Sequence, residues 1–471
     1  MLSALSSSNA LLNNAAAVGS WVGDWQPVNG FSSVPVALPI AADASTGTAL
    51  MFYSASQWTT GSYSTTPNNN PQINGAIVDT AIIYHPVLDQ NVLVWVYGGN
   101  ASNGPNQKAF VWEGSSTRTF STLTNSPGGA RNVAAFDNRL FFGAAADSLA
   151  SQYPQRVTWS ERGNPEVYTE PTGGFEDLLD ARGSIQKLWP MDDRILVFFE
   201  NEIWQGLKTG FPFDFTFVPF DRGVGTIAPM SVADTPQGVV FVGPDLQVYL
   251  IPNGSTPVPI GQNIQGLLRD ELVNPGRISG VYCEAWNAYV FTYDNAPQAS
   301  TNDKKAFAIS LDHGKPDVSP IHFLANVHRL GTWASDYSTR VLAIDSRGTV
   351  SELRPSQTSE LRQTLTSRFV TAIDNSNPLT KQFVRELRFE SRQLSASSFT
   401  VRLSTDLGNT YGAELGIALP ALSNATVGGS AQTVVNPGLS AVYPTIELSH
   451  SGGHNFVLYG ATAILEQVGY G

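Results

Sequence analysis

The chain has 471 residues, 42% of them hydrophobic and only 14% charged, with 42 Gly and 29 Pro. That length allows more than one core, and the Gly and Pro content with no long 3.6-residue periodicity argues for a punctuated all-β chain rather than a helical one. The 39 acids against 27 bases leave a net charge of −12, which argues against a protein whose task is to grip nucleic acid by neutralising phosphates.

Residues 1–90 are rich in Ala, Ser, Thr and Asn, and read as a loop-rich segment with a few strands, at Val34–Ile40 and Ala49–Tyr53. No Lys or Arg precedes Lys108, while Asp24, Asp43, Asp79 and Asp89 do. The first seventeen residues lack a basic stretch, and Ser and Asn interrupt their apolar run, so no signal peptide is expected. No run of about eighteen apolar residues occurs, so no membrane span is expected.

From residue 91 short apolar runs come in pairs around polar turns. Val92–Val96 pairs with Ala109–Trp112, Leu140–Phe142 with Arg156–Trp159, and Ile195–Phe199 with Ile203–Trp204. Val239–Val242 pairs with Val248–Ile251, Ala288–Tyr293 with Ala306–Leu311, and Val341–Ile344 with Thr349–Leu353. Runs of β-branched and aromatic residues bounded by Gly, Pro, Asn and Asp are the signature of hairpins. Their first strands start near 92, 139, 195, 239, 288 and 341, a quasi-period of roughly 50 residues, as in β-propellers. Residues 91–354 are therefore expected to form a β-propeller of about six irregular blades. A boundary falls at Arg354-Pro355. Beyond it, longer strands at Phe383–Phe389, Phe399–Leu403, Val442–Leu448 and Phe456–Leu465 predict a C-terminal β-sandwich over 355–471. The alternation of Phe383, Leu387 and Phe389 with Glu386, Arg388 and Glu390 gives one buried and one wet face.

Few residues carry chemistry. Ser404-Thr405-Asp406-Leu407-Gly408-Asn409-Thr410-Tyr411 matches the Asp-box pattern S-x-D-x-G-x-T-aromatic of sialidases and related propellers. There it is a hairpin turn in which the Asp caps backbone amides, the Gly takes positive φ and the aromatic packs beneath. A single box, after the repeats, reads as a structural turn at Ser404, Asp406, Gly408, Thr410 and Tyr411. His450 and His454 have metal-like spacing, but two glycines separate them from any helical alignment, and His322 and His328 have no acidic or Cys cluster nearby, so no metal is expected. Asp192-Asp193 and Glu176-Asp177 fall at expected turns, where acids are ordinarily solvated. Lys381, Arg385, Arg388 and Arg392 are interleaved with Glu386 and Glu390, as on a paired strand surface. Cys283 lies in the strand-like V-Y-C-E-A-W-N-A-Y-V-F-T and reads as a buried core thiol. No nucleophile elbow, phosphate loop or dinucleotide fingerprint is present. No catalytic residue and no cofactor is expected.

An order of motifs adds to this reading. R-N-V-A-A-F-D-N-R-L-F-F-G, R-V-T-W-S-E-R-G-N-P-E-V-Y and G-S-I-Q-K-L-W-P-M-D-D-R-I-L-V-F-F-E-N-E-I-W follow one another, then D-R-G-V-G-T-I-A-P-M-S-V-A-D-T-P-Q-G-V-V-F-V-G-P-D-L-Q-V-Y-L-I. With G-R-I-S-G-V-Y-C-E-A-W-N-A-Y-V-F, R-E-L-R-F-E-S-R and L-S-T-D-L-G-N-T-Y-G after them, the chain from about Leu93 onward resembles the tail-hub or nozzle family of short-tailed bacteriophages, also called packaged-DNA stabilisation proteins. The first 90 residues lie outside the resemblance. It implies a virion tail protein, assembled in the host cytoplasm, whose homo-hexameric ring sits below the portal and adaptor rings. The ring would close the channel, retain the genome without binding it specifically, and carry tail fibres or a needle. The alternative is a glycan-binding or sialidase-like propeller acting on host surface sugars. A hydrolase of that kind needs converging Arg and acidic residues, which the sequence does not display, and a binder needs exposed aromatics such as Trp58, Trp112 or Trp286.

Overall fold

The computed structural model describes strand segments 2–4, 21–25, 34–38, 48–54 and 57–63, then residues 77–98, 108–113, 119–145, 153–210, 214–253, 255–294, 304–311, 318–321, 327–335, 338–345 and 350–353. Further on it describes 359–360, 363–364, 366–372, 380–393, 397–405, 410–419, 431–437, 439–441, 444–451 and 456–470. The chain divides into two compact units between Pro355 and Ser356.

The first unit is a succession of four-stranded antiparallel sheets, of which the first two are the halves of one continuous eight-stranded sheet. The first sheet comprises Trp21–Trp25, Val34–Leu38, Thr48–Ser54 and Gln57–Tyr63. The second comprises Ile77–His85, Gln90–Gly98, Phe110–Trp112 and Thr119–Thr122, and its last strand pairs in parallel with the last strand of the first. The third is Asn132–Phe136, Arg139–Gly143, Arg156–Trp159 and Gly174–Asp177; the fourth is Lys187–Pro190, Arg194–Phe198, Ile203–Lys208 and Phe215–Asp221. The fifth is Ala233–Thr235, Gly238–Val242, Val248–Pro252 and Val258–Pro259; the sixth is Ser279–Cys283, Ala288–Asp294, Lys304–Ser310 and Val318–Ile321. The seventh takes three strands from Val327–Ser335, Ser338–Asp345 and Val350–Leu353, and its fourth from Leu2–Ala4 at the other end of the chain.

The six expected hairpins are present as paired strands, for example Phe141 opposite Trp159, Val197 opposite Trp204 and Phe241 opposite Tyr249. They are the second and third strands of sheets two to seven. With the eight-stranded sheet taken as two halves, seven four-stranded sheets are formed among the described residues. The six expected hairpins account for six, and the strands expected at Val34–Ile40 and Ala49–Tyr53 are present as Val34–Leu38 and Thr48–Ser54, the second and third strands of the first half.

The second strands are buried on both sides, and successive residues serve different neighbours, as the pleat requires. In the fourth sheet Ile195, Val197 and Phe199 pack with Phe141 and Trp159 of the third, while Leu196 and Phe198 pack with Val239 and Phe241 of the fifth. The pattern repeats along the chain: Leu140 and Phe142 join the second sheet's cluster, Tyr289 and Phe291 the fifth's, and Val290 the seventh's. The first strand of the first sheet touches the first strands of both the second and the seventh. The sheets thus follow one another round a closed circuit, a propeller-like layout.

Turn chemistry fixes the registers. Asp137 and Asn138 both take positive φ, 50° and 56°, between Phe136 and Arg139, the conformation of the tight turn that matches strand twist. Gly238 has φ +136°, and a Cβ there would lie 1.9 Å from the Ile251 carbonyl oxygen, so the fifth sheet's first turn tolerates no side chain.

The second unit contains a short hairpin, Ser359–Glu360 with Gln363–Thr364, and two larger sheets. One runs in the order Thr366–Ala372, Thr445–Ser451, Ser397–Ser404, Leu415–Leu419. The other centres on Thr380–Gln393, with Ala431–Val435 and Leu439–Ala441 along one edge and Phe456–Tyr470 along the other. Val384, Leu387 and Phe389 of the second sheet share a core with Phe399, Val401, Leu403, Ile446 and Leu448 of the first. Val384, not Phe383, joins that core: the register shifts between Val384 and Glu386, and the extra residue Arg385 reverses the alternation.

Replacing Phe198, which is fully buried between two sheets, with Ala should destabilise the first unit by about 3–5 kcal/mol. The same change at Leu179, 78% exposed, should shift stability by no more than about 0.5 kcal/mol. Equilibrium denaturation of the two variants reads both.

Candidate functional site

The first strands of five sheets surround a hollow of about 460 Å³ in the first unit, lined by Asp79, Lys187, Trp189, Asp234, Tyr282 and Thr332 among others. The Asp79 carboxylate organises one wall. It pairs with the Lys187 ammonium, and it accepts from the Val133 amide at 3.2 Å and the Thr80 amide at 3.0 Å. Three consecutive sheets are laced together by this one side chain. Asp79 and Lys187 are 3% and 8% exposed, so neither charge is offset by water and each depends on the other. Asn132 adds a second link, donating to the Gln186 carbonyl at 2.7 Å.

A second hollow, of about 610 Å³, lies among the turns joining first and second strands of the third, fourth and fifth sheets, with Phe136, Asp137, Asp192, Lys208, Asp234 and Asn253 in its lining. Its carboxylates have separate occupations. Asp137 accepts from Lys208 at 2.7 Å and pairs with Arg162 at 3.3 Å. Lys208 also lies 5.0 Å from the Phe136 ring centroid. Asp234 accepts from the Trp189 indole at 2.7 Å. Burial pushes the Asp234 carboxyl above its ordinary value, against the Trp189 hydrogen bond, and the charge of Asp192 pushes it further up. Among the described residues that line the two hollows there is no Ser or Cys. Among the described residues no group of three or more His, Cys, Asp or Glu is placed to hold a metal ion.

The acidic pairs singled out in the sequence have structural partners. Adjacent strand residues point to opposite faces, and of the two acids in Gly174–Asp177 only Asp177 turns to Arg156, which it binds through two contacts of 2.7 Å. That guanidinium is sandwiched 3.8 Å from the Tyr153 ring and 4.1 Å from Phe175. Burial raises the Glu176 carboxyl. Asp193 forms two contacts of 2.8 and 2.7 Å with its neighbour Arg194, and these hydrogen bonds hold its carboxyl below the usual range. Asp192 is exposed beside it.

At the Asp-box-like turn Ser404 is buried and ends its strand opposite Thr445, and the Gly412 amide donates to the Leu403 carbonyl at 2.9 Å. Thr410 is exposed, and Tyr411 lies under the Arg402 guanidinium, 5.2 Å from centroid to carbon. Asp406 and Gly408 lie outside the described residues, as do His322 and His454. His450 pairs with Ser367 in a strand ladder, and His328 lies in the strand Val327–Ser335. Trp112 is fully buried, and Trp286 packs half-buried beside Cys283. Burial raises the Cys283 thiol. Trp58 lies in the strand Gln57–Tyr63, its side chain outside the described residues. Arg388 pairs with Glu386.

The residues that gather at the hollows, Asp79, Lys187, Trp189 and Asp234, were not singled out by sequence reasoning. The one local signal was a charge inside an apolar strand, as in A-I-V-D-T-A-I-I-Y and I-Q-K-L-W-P.

No family model matches the chain, and no curated protein matches it. Among solved structures, a crystal structure of BBS1N in complex with ARL6DN is similar at TM-score 0.41 and 11% identity, over 74% of this chain and 95% of that one. A glycoside hydrolase family 43 arabinoxylan arabinofuranohydrolase from Bacillus subtilis, in complex with cellotetraose, is similar at TM-score 0.32 and 9% identity, over 98% and 99%. RAG in complex with its RSS gives TM-score 0.39 and 7% identity, over 66% and 99%. At these scores the likenesses carry no argument about what the chain does.

Lys187→Met should cost about 3–5 kcal/mol by stranding the Asp79 charge. The double variant Asp79→Leu, Lys187→Met should recover only part of that, since the Val133 amide loses its acceptor; a double-mutant cycle in denaturant measures both. Asp192→Asn removes a neighbouring negative charge and should move the Asp234 carboxyl back down toward its ordinary value, read by NMR titration of that carboxyl carbon.

Proposed function

We propose that this chain is a structural protein of a short-tailed phage, a ring-forming nozzle or hub that closes the DNA channel below the portal and adaptor and retains the packaged genome. The observation that carries the reading is the order of motifs from about Leu93 onward. Four of those motifs span the first and second strands of successive sheets, three to six, with the hairpin turns Asp137-Asn138, Met191–Asp193, Thr235–Gln237 and Glu284–Asn287 between them. We read the seven sheets as the blades of a β-propeller, closed by Leu2–Ala4, and the two larger sheets of the second unit as a β-sandwich.

Charge and chemistry support a role without catalysis or sequence-specific binding. A chain at −12 would repel a passing duplex weakly across a screened distance of about 8 Å at physiological salt. Of the carboxylates in the two hollows, Asp79, Asp137 and Asp234 are held by Lys, Arg, Trp and amide partners and Asp192 is exposed, an arrangement that favours holding sheets over acid–base work. Fibre or needle proteins and the adaptor ring are the partners this reading implies, in the tail of the virion.

Six like-charged copies repel one another, so the isolated chain should be monomeric or weakly associated at low salt. Association should strengthen as salt screens the charge and become firm on an adaptor ring, where partner contacts add to the ring interface. Light scattering across a salt series, with negative-stain images scored for six-fold rings, tests this. Tight, salt-sensitive duplex binding by the free chain would overturn the channel reading, and turnover of a sialoside or specific retention on a glycan array would replace it with the host-sugar alternative.

A further inference from the structure

One charged group in the first unit has no counterion in the chain as described. Arg329 lies near the start of Val327–Ser335, at a break in register: Val327 stands opposite Asp345 and Arg329 opposite Ile344, leaving His328 as the extra residue. Val327 and Leu330 face the cluster shared with the sixth sheet. The bulge turns Arg329 to the other face, beside Ile344, as such irregularities re-aim side chains. There its side chain is 2% exposed. Among the described residues its one hydrogen bond is long, 3.5 Å from Nη1 to the Arg277 carbonyl, and its Nε has no acceptor. It forms no ion pair among the described residues.

The neighbouring charge is of the same sign. Burial first, and the Arg277 charge second, push the Arg329 guanidinium down to about 10. Arg277 ends a short 3-10 turn whose Asn274 side chain accepts from the Gly276 amide at 3.0 Å. It reaches Asp294 through Nη1 at 3.1 Å and keeps 41% of its side chain exposed. Asp294 pairs with Arg277, and among the described residues no carboxylate is recorded at Arg329; the side chain of Asp345, opposite Val327, lies outside them. A buried cation without a partner is among the most costly arrangements in a protein interior. The planar fork of arginine matches the paired oxygens of a carboxylate or phosphate.

We infer that Arg329 and Arg277 form a binding site for a small oxyanion, entered from the side of the exposed Arg277. The ligand would lie between the two guanidiniums, giving Arg329 the acceptor it lacks and offsetting the repulsion between the pair. This is independent of any role in a tail.

Thermal unfolding of the full chain in inorganic phosphate, against chloride at equal ionic strength, tests it. Phosphate should raise the midpoint progressively to a plateau, and Arg329→Met should abolish that dependence while Arg269→Met, on the exposed side of the helix Gln262–Glu271, keeps it. Should Arg329→Met not fold, Arg329→Lys, which keeps the charge but loses the fork, should weaken the apparent phosphate affinity at least about tenfold, as loss of a charge-assisted hydrogen bond does. Acetate acting in the same range would assign the site to carboxylates as well as phosphate; acetate without effect would restrict it to phosphate, and either result supports the inference. No rise beyond that in chloride, or a rise retained in Arg329→Met, would overturn it and mean that the charge is neutralised from within the chain.

Discussion

The first unit depends on strands that have no wet side. Ile195–Phe199 sends alternate residues into the sheets before and after it, and the second strands of the third, fifth and sixth sheets do the same. A sheet buried on both faces cannot stand at the end of a row, because its outer face would be a large exposed apolar patch. The row must close on itself. That requirement gives the polar first sheet its place: its first strand lies against the first strands of the second and seventh sheets. The buried link between Asp79 and Lys187 answers the same geometry from inside, where neighbouring first strands converge and side chains too short to bridge a wider gap can meet.

How much of this was legible follows from where the hydrophobic pattern is continuous. Second and third strands such as Gly238–Val242 and Val248–Pro252 are read directly, since nearly every residue is apolar and a turn marker separates them. Fourth strands lie at the outer edge, as Val258–Pro259 does with both residues exposed, and carry no such run. Of the first sheet only Val34–Leu38 and Thr48–Ser54 were legible, and its outer strands were not; the seventh sheet's fourth strand was missed because it comes from the opposite end of the sequence. At Phe383 and Val384 the alternation was misassigned by one residue, since a bulge leaves no mark in the composition of a strand. The pairing of Asp79 with Lys187, 108 residues apart, had no local signature.

The candidate site was less legible than the fold. Adjacent acids attract attention in a sequence, yet Asp192 and Asp193 are both exposed in the structure, and only Asp193 is held by Arg194. Convergence in space came instead from one member of that pair, Asp192, with Asp137 and Asp234 from different sheets. Each is ordinary in its own segment. What distinguishes them is the position shared by the segments, in or just before the turn that follows a first strand, and only the three-dimensional repeat makes that position common.

The strand Leu2–Ala4 completes its sheet against Val350–Leu353, which places a constraint on biosynthesis. At ribosomal rates of about 5–20 residues per second, the segment that will close the circuit waits for roughly 20–70 s before its partner emerges. Throughout that interval the early sheets lack one neighbour and the first strand lacks its ladder. On a crowded polysome the waiting strand of one nascent chain can reach the finished edge of another, and the product is an exchanged dimer or a longer string rather than an unfolded monomer. Dilution during synthesis, or a chaperone that covers the waiting segment, favours the chain that closes on itself.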